Sequence, residues 1–298
     1  MHGDPNPSEA DPDAKIEIFD EKARELGVCR VFAAIKAADA SATGTSIYDV
    51  SARKPGFIAV AAVYPRATGN PIALLLYFDW NGSLSRRTVL NDRPGIQSLE
   101  IGGAGQVWAL NDFDPENASK FVFTEFDRNG SLIKEAVRTR REWSTDESTH
   151  EGGQTSFGMV AGKIWAWLPK TKTFILFDGD SNRVVVKHTG LPQSDRSSSS
   201  PLYARRTALL PNDRLLMDIG AVPQGPSAQM RARTGWFIWS ERSGWQKVQN
   251  PVNSPLDVLY AVEGDEVIFA SFEKPPRERL VFQSEAIGDL TAVASVRR

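Results

Sequence analysis

Groups able to do chemistry are few and scattered in this 298-residue chain. One cysteine, Cys29, excludes an internal disulfide and any zinc site built on thiolates. The three histidines, His2, His150 and His188, lie too far apart in sequence to form a local metal-binding pair. The densest run is 138–151, which holds Arg138, Arg140, Arg141, Glu142, Trp143, Asp146, Glu147, His150 and Glu151. His150 and Glu147 are the candidates there for general acid–base work, and Trp143 with Arg141 for holding a ligand. The competing reading is a solvated loop with internal ion pairs. Arg205 and Arg206, and further on Arg231 and Arg233, offer cations to an anionic ligand or partner. For the first two the competing reading is a structural ion pair, and for the second two a solvated loop. Three acids, Asp49, Glu100 and Asp257, supply the oxygens that a divalent cation such as calcium would need. Outside that alternative no cofactor is expected.

Such residues act only if a scaffold brings them together, and the scaffold is announced by a repeat. Leu75 to Leu84, ending Phe78-Asp79-Trp80-Asn81-Gly82-Ser83-Leu84, matches Phe123 to Leu132, ending Phe126-Asp127-Arg128-Asn129-Gly130-Ser131-Leu132. Ile16 to Leu26 and Phe174 to Asn182 are related, and Trp236 to Trp245 and Leu280 to Leu290 are degenerate copies. Each is an apolar run, a polar turn and a second β-prone run, the pattern of a β-hairpin. Ahead of five hairpins comes a second unit, clearest in Gly105-Gln106-Val107-Trp108-Ala109-Leu110 and Gly162-Lys163-Ile164-Trp165-Ala166-Trp167. A further short run precedes each: 46–51, 98–101, 156–160, 203–210 and 258–262. The repeating unit is therefore four short strands.

The apolar runs are nearly continuous rather than alternating, as expected of sheets covered on both faces. Tandem four-stranded units, each sandwiched between neighbours, describe a β-propeller; a strand-rich sandwich is the alternative, but it predicts no period. The two motifs resemble those of the NHL-repeat and gluconolactonase-like group of six-bladed propellers, in which a Gly-x-(Ile/Val)-Trp-(Val/Ala) strand precedes a Phe-Asp-x-x-Gly-x-Leu hairpin. The resemblance covers most of residues 15–297, and its motifs specify blades rather than chemistry. It implies an all-β chain with one six-bladed propeller domain over 15–298, and the spacing of the repeats, with no room ahead of the first hairpin for inner strands, gives five four-stranded blades plus a two-stranded N-terminal partial blade. That hairpin, Ile16 to Val31, either stands as the sixth blade or closes the ring. Asp20, Asp79, Asp127 and Asp178 recur inside the structural motif, so they are expected to accept turn amide hydrogens. Trp108, Trp165, Trp167, Trp236 and Trp239 fall inside strands and are expected to pack between blades.

In a four-stranded blade, the first-to-second and third-to-fourth turns share one end, and the remaining connections share the other. Here the first set is tight, whereas the second includes long stretches near 112–120, 139–155, 190–201 and 221–234. Long, varied loops over a rigid scaffold are where function concentrates. The leading expectation is a non-enzymatic propeller that binds a partner protein or small ligand on that end. A metal-dependent gluconolactonase-like hydrolase or lyase, with an acidic site at the channel mouth, is the alternative.

Composition narrows the partners. Lys+Arg 35 against Asp+Glu 37 gives a net charge of -2, which drives the chain toward neither nucleic acid nor an anionic membrane. No run reaches the roughly 20 apolar residues of a membrane span. Residues 1–14 contain Asp4, Glu9, Asp11, Asp13 and three prolines with no Lys or Arg, and are expected to be a disordered acidic leader. A monomer is expected, located outside the cytoplasm with the export signal missing from this chain.

Overall fold

The computed structural model describes residues 11–20, 24–53, 56–66, 71–90, 95–113, 120–145, 153, 155–192, 202–221, 233–249, 258–263, 266–273, 279–287 and 290. Contacts divide the chain into two compact units, Met1–Asp146 and Glu147–Arg298.

The first unit opens with a hairpin, β1 (Ile16–Phe19) and β2 (Glu25–Cys29), followed by a short helix, α1 (Val31–Ala38). Two four-stranded antiparallel sheets follow. One runs β3 (Ser46–Ala52), β4 (Ile58–Tyr64), β5 (Ile72–Phe78) and β6 (Leu84–Val89) in spatial order. The next runs β7 (Ile96–Ile101), β8 (Val107–Asn111), β9 (Phe121–Phe126) and β10 (Leu132–Arg138). The second unit repeats the design with β11 (Ser156–Val160), β12 (Lys163–Leu168), β13 (Thr173–Asp178) and β14 (Arg183–His188). Then come β15 (Leu202–Leu210), β16 (Arg214–Ala221), β17 (Arg233–Ser240) and β18 (Gly244–Val248). A last sheet has β19 (Val258–Glu263), β20 (Glu266–Glu273) and β21 (Arg279–Ala286). Every sheet is a meander in which sequence neighbours pair, the organisation of propeller blades.

Four sheets carry four strands among the described residues, and the fourth strand expected of the last sheet lies outside them. The chain also contains α1, which was not expected. Its alanines favour a helix, and Val31 and Ile35, one turn apart, bury one side of it. The Asp39 carboxylate then anchors its end, accepting hydrogen bonds from the Ser41 amide and hydroxyl, the Tyr64 hydroxyl and Arg66 Nε. These donors hold the Asp39 carboxyl well below the usual carboxylate range.

Period-two alternation explains the continuous apolar runs. In the Ile58–Tyr64 strand, the even-numbered Ile58, Val60, Ala62 and Tyr64 face a cluster with Ile18, Cys29, Val31 and Ile35. The odd-numbered Ala59 and Ala61 face a separate cluster with Leu99, Val107 and Phe126 of the next sheet. In the second unit, Leu215, Met217 and Ile219 pack toward Trp165, Trp167 and Leu176, whereas Leu216 packs with Val267 and Phe269 on the other side. Each middle strand therefore serves two cores, and each fully buried Leu, Ile or Val contributes about 1.5–3 kcal/mol. Four of the five strand tryptophans have their expected packing partners in these clusters, and Trp108 is likewise buried. Cys29 is fully buried in the cluster of Ile18, Val31 and Ile35, which pushes its thiol up to about 11.

Three of the four motif aspartates do what turns require; in the turn of Asp79 the Asn81 Oδ1 accepts instead, from the Ser83 amide. Asp127 Oδ1 accepts from the Asn129 and Ser131 amides, Asp178 Oδ1 from the Asp180 and Ser181 amides, and Asp20 Oδ1 from the Arg24 amide. These bonds, the Ser131 and Ser181 amides first, hold the Asp127 and Asp178 carboxyls below the usual carboxylate range. In the Asn81–Gly82 turn, Gly82 has φ +84, and a Cβ placed there would lie 2.3 Å from the Val28 carbonyl oxygen. That turn thus presses its backbone against the N-terminal hairpin. Gly162 has a similar φ of +77, but nothing lies within 4 Å of a Cβ built on it. Gly162→Ala should therefore cost only backbone strain, about 1 kcal/mol. Gly82→Ala should cost about 3 kcal/mol, because overpacking adds to the strain. Urea unfolding of the two variants checks this, and equal losses would show that the hairpin is not held against the turn.

Candidate functional site

The first strand of each sheet has one edge with no ladder partner, so its outward amides need other acceptors. Between β3 and β7 the neighbouring sheet provides them. Asp49 Oδ2 accepts from the Leu99 amide at 2.7 Å, and Ser51 Oγ accepts from the Ile101 amide at 3.2 Å. Asp49 Oδ1 also accepts from the Val50 amide at 2.9 Å. The Ser51 hydroxyl donates to Glu100 Oε2 at 3.5 Å, and Arg53 Nη1 donates to the Ile101 carbonyl at 3.3 Å. In the second unit, Ser156 Oγ accepts from the Thr207 amide at 3.2 Å, the same type of tie between β11 and β15.

Glu100 is the most perturbed acid in this group. Burial, and then the negative charge of Asp49, push its carboxyl up to about 7, with Ser51 and the Ile101 amide opposing. A buried carboxyl that titrates near neutrality is suited to hold or pass a proton. As a cation cradle the pair is less well equipped. Both Asp49 oxygens already accept amide hydrogens, and among the described residues no three His, Cys, Asp or Glu side chains converge.

A second polar feature lies in β15 and β16. Arg205 Nη1 is 3.4 Å from Asp218 Oδ2, with the Arg205 side chain 22% exposed and that of Asp218 0%. Arg206 stands across the ladder from Asp218 and is exposed.

The sequence-derived candidates separate under the structure. Asp49 and Glu100 come together, and Arg205 and Arg206 share one strand near the long-connection end. Trp143 differs from the expectation of a ligand-facing aromatic. It is 3% exposed, with the Arg140 guanidinium 4.9 Å above its ring, while Arg141 is exposed. The run is folded in because Thr145 Oγ1 donates to Asp112 Oδ1 at 2.8 Å and accepts from the Phe113 amide at 2.9 Å. Arg233 lies in β17, paired with Gly220. Glu147, His150, Arg231 and Asp257 lie outside the described residues. Sequence reasoning missed Ser51, Ser156, Arg53 and Asp218. Aligning the first strands of the repeats would have exposed the two serines, and an Asp inside the apolar run 214–221 was a visible signal for the fourth.

No protein-family model matches the chain, and no curated protein matches it either. Among solved structures, a GH74 xyloglucanase from Xanthomonas campestris matches with TM-score 0.52 at 14% identity, over 93% of this chain and 43% of that one. A protein of unknown function from Bacteroides caccae matches with TM-score 0.48 at 12% identity, over 92% of this chain and 87% of the other. The Swd1 β-propeller domain from Myceliophteria thermophila matches with TM-score 0.40 at 10% identity, over 78% and 77%. Among the described residues, no helix is long and apolar enough to cross a membrane.

The raised Glu100 carboxyl makes a signed prediction. The folded state binds its proton more tightly than the unfolded chain, so the stabilisation is complete below about pH 4.5 and is lost as pH rises through about 7. Glu100→Gln should be close to neutral at pH 4.5 and more stable than the wild type at pH 8, by on the order of 3 kcal/mol. Urea midpoints of both proteins at the two pH values test this; a pH-independent difference would contradict it.

Proposed function

We propose that this chain is a binding protein of the propeller type that docks a partner protein or small ligand on the long-connection end of its sheets. The observation that carries the reading is the asymmetry of the connections. One end has the turns 102–106, 127–131, 161–162, 179–182, 211–213 and 241–243, whereas the other carries 112–120, 139–155, 189–201, 222–232 and 249–257 alongside the shorter 65–71, 90–95, 169–172 and 274–278. Short turns fix strand register, and long connections supply variable surface over a rigid base. In this reading the five sheets from β3 to β21 and the β1–β2 hairpin take six places around one axis, as in the NHL-repeat and gluconolactonase-like group. The packing of the hairpin against the β4 and β5 face supports that sixth place.

A metal-dependent hydrolase or lyase is the second reading. The proximity of Asp49 and Glu100 favours it, and calcium would need further oxygens beyond these two. The chemistry a cation would supply is polarisation of a substrate oxygen.

A panel of sugars, organic acids, nucleotides and peptides, read by thermal shift, should yield at least one stabilising ligand. Lys120→Glu and Arg141→Glu, both exposed at the long-connection end, should weaken its binding about tenfold or more. Arg128→Glu and Arg242→Glu, exposed in the tight turns, should leave it unchanged. The opposite ranking would refute the docking end. Turnover of a lactone, ester or glycan with a metal retained by the purified protein would replace this reading with the second.

A further inference from the structure

Four of the five first strands share a local irregularity. The register slips between Ile47 and Asp49 in β3, Ile96 and Ser98 in β7, Ala204 and Arg206 in β15, and Leu259 and Ala261 in β19. Each slip is a β-bulge that leaves one extra residue, Tyr48, Gln97, Arg205 or Tyr260, at the start of the strand, next to the long connections. Bulges re-aim side chains and recur beside binding sites. Opposite the bulge, the second strand presents Ala61, Leu110, Asp218 and Ile268 in turn. Three of the four repeats therefore fold with an apolar residue at this position, and one places a carboxylate there.

That carboxylate is costly. Asp218 belongs to the face of β16 that carries Leu216, across from Trp236, among Ala208, Leu210 and Ile238. A buried charge in such surroundings is tolerated only when paired, and an apolar residue would serve the fold as well or better. Arg205 is one of its partners, with Nη1 3.4 Å from Asp218 Oδ2, and a guanidinium carries further donors beyond that one contact. Arg206, directly opposite Asp218, is exposed and has no ion pair among the described residues. Two guanidinium groups against one carboxylate leave a net positive charge at the start of the strand.

We propose that the Arg205–Arg206 bulge, held by Asp218, is a binding site for the oxyanion group of a small ligand. Carboxylate and phosphate both match the guanidinium fork and are the two sources to separate. Asp218 is a positioning residue that fixes Arg205, and Arg206 supplies the second cation. The site rests on the reading that ligands dock at the long-connection end, and it gives that reading a chemical class.

The test uses the full chain, with sodium glucuronate and sodium phosphate as probes at constant ionic strength. In wild type, one or both probes at 20 mM should raise Tm by about 3 °C for a Kd in the low-millimolar range. Response to glucuronate alone identifies a carboxylate ligand, and response to phosphate alone a phosphorylated one. Arg206→Gln, an exposed substitution, should fold normally and lose at least half of the shift. The paired replacement Arg205→Leu with Asp218→Leu gives position 218 the apolar type of its sister repeats and removes both charges of the pair together, so it should fold and show only the general salt effect. Equal shifts in wild type and the paired variant would overturn the site, as would a full shift in Arg206→Gln. Neither result bears on Lys120 and Arg141, so a failure here stays distinguishable from failure of the docking end itself.

Discussion

Each central sheet of this chain is buried on both faces, and most of its other features follow from that requirement. A strand such as Ile58–Tyr64 must offer apolar groups on both sides, because its even residues pack with α1 and the hairpin and its odd residues with the β7–β10 sheet. No face remains on which polar residues can be placed without cost. They are confined to the turns, the outermost strands and the open edge of the first strand.

The first-strand edge is where structural and functional demands collide. Its outward amides must be satisfied, and the side chains able to do so are the same types that bind ligands. Asp49, Ser51 and Ser156 accept from Leu99, Ile101 and Thr207, so these polar residues are already committed to joining adjacent sheets. Glu100 is different, because burial and then the charge of Asp49 raise it more than Ser51 and the Ile101 amide offset. Asp218 differs in another way, in that it meets a demand its sister repeats do not have.

The sheet organisation was legible because two-sided burial writes itself as uninterrupted apolar runs, and because Asn81-Gly82 and Asn129-Gly130 mark turns with the backbone freedom they need. The first strands, with fewer apolar residues, were found from their position in the repeat. The α1 helix was not legible, since Val31, Phe32, Ile35 and its alanines read equally well as the end of a hairpin. Nor was the burial of Trp143, which sits in a polar stretch and is folded in by Thr145 through bonds to Asp112 and Phe113, distant in sequence. The pairing of Asp49 with Glu100 had the same obstacle: it joins strands of different sheets, and only the stacking of those sheets makes the two carboxylates neighbours.

The N-terminal hairpin also bears on the order of synthesis. It leaves the ribosome ahead of the sheet it packs on: Ile18 and Cys29 meet residues of β4 and β5 that are made later, and Gly82 meets Val28 only after the β5–β6 turn has formed. Two strands alone are marginal in water. The hairpin must therefore wait for its partners, and it joins this core as a late piece rather than as its nucleus.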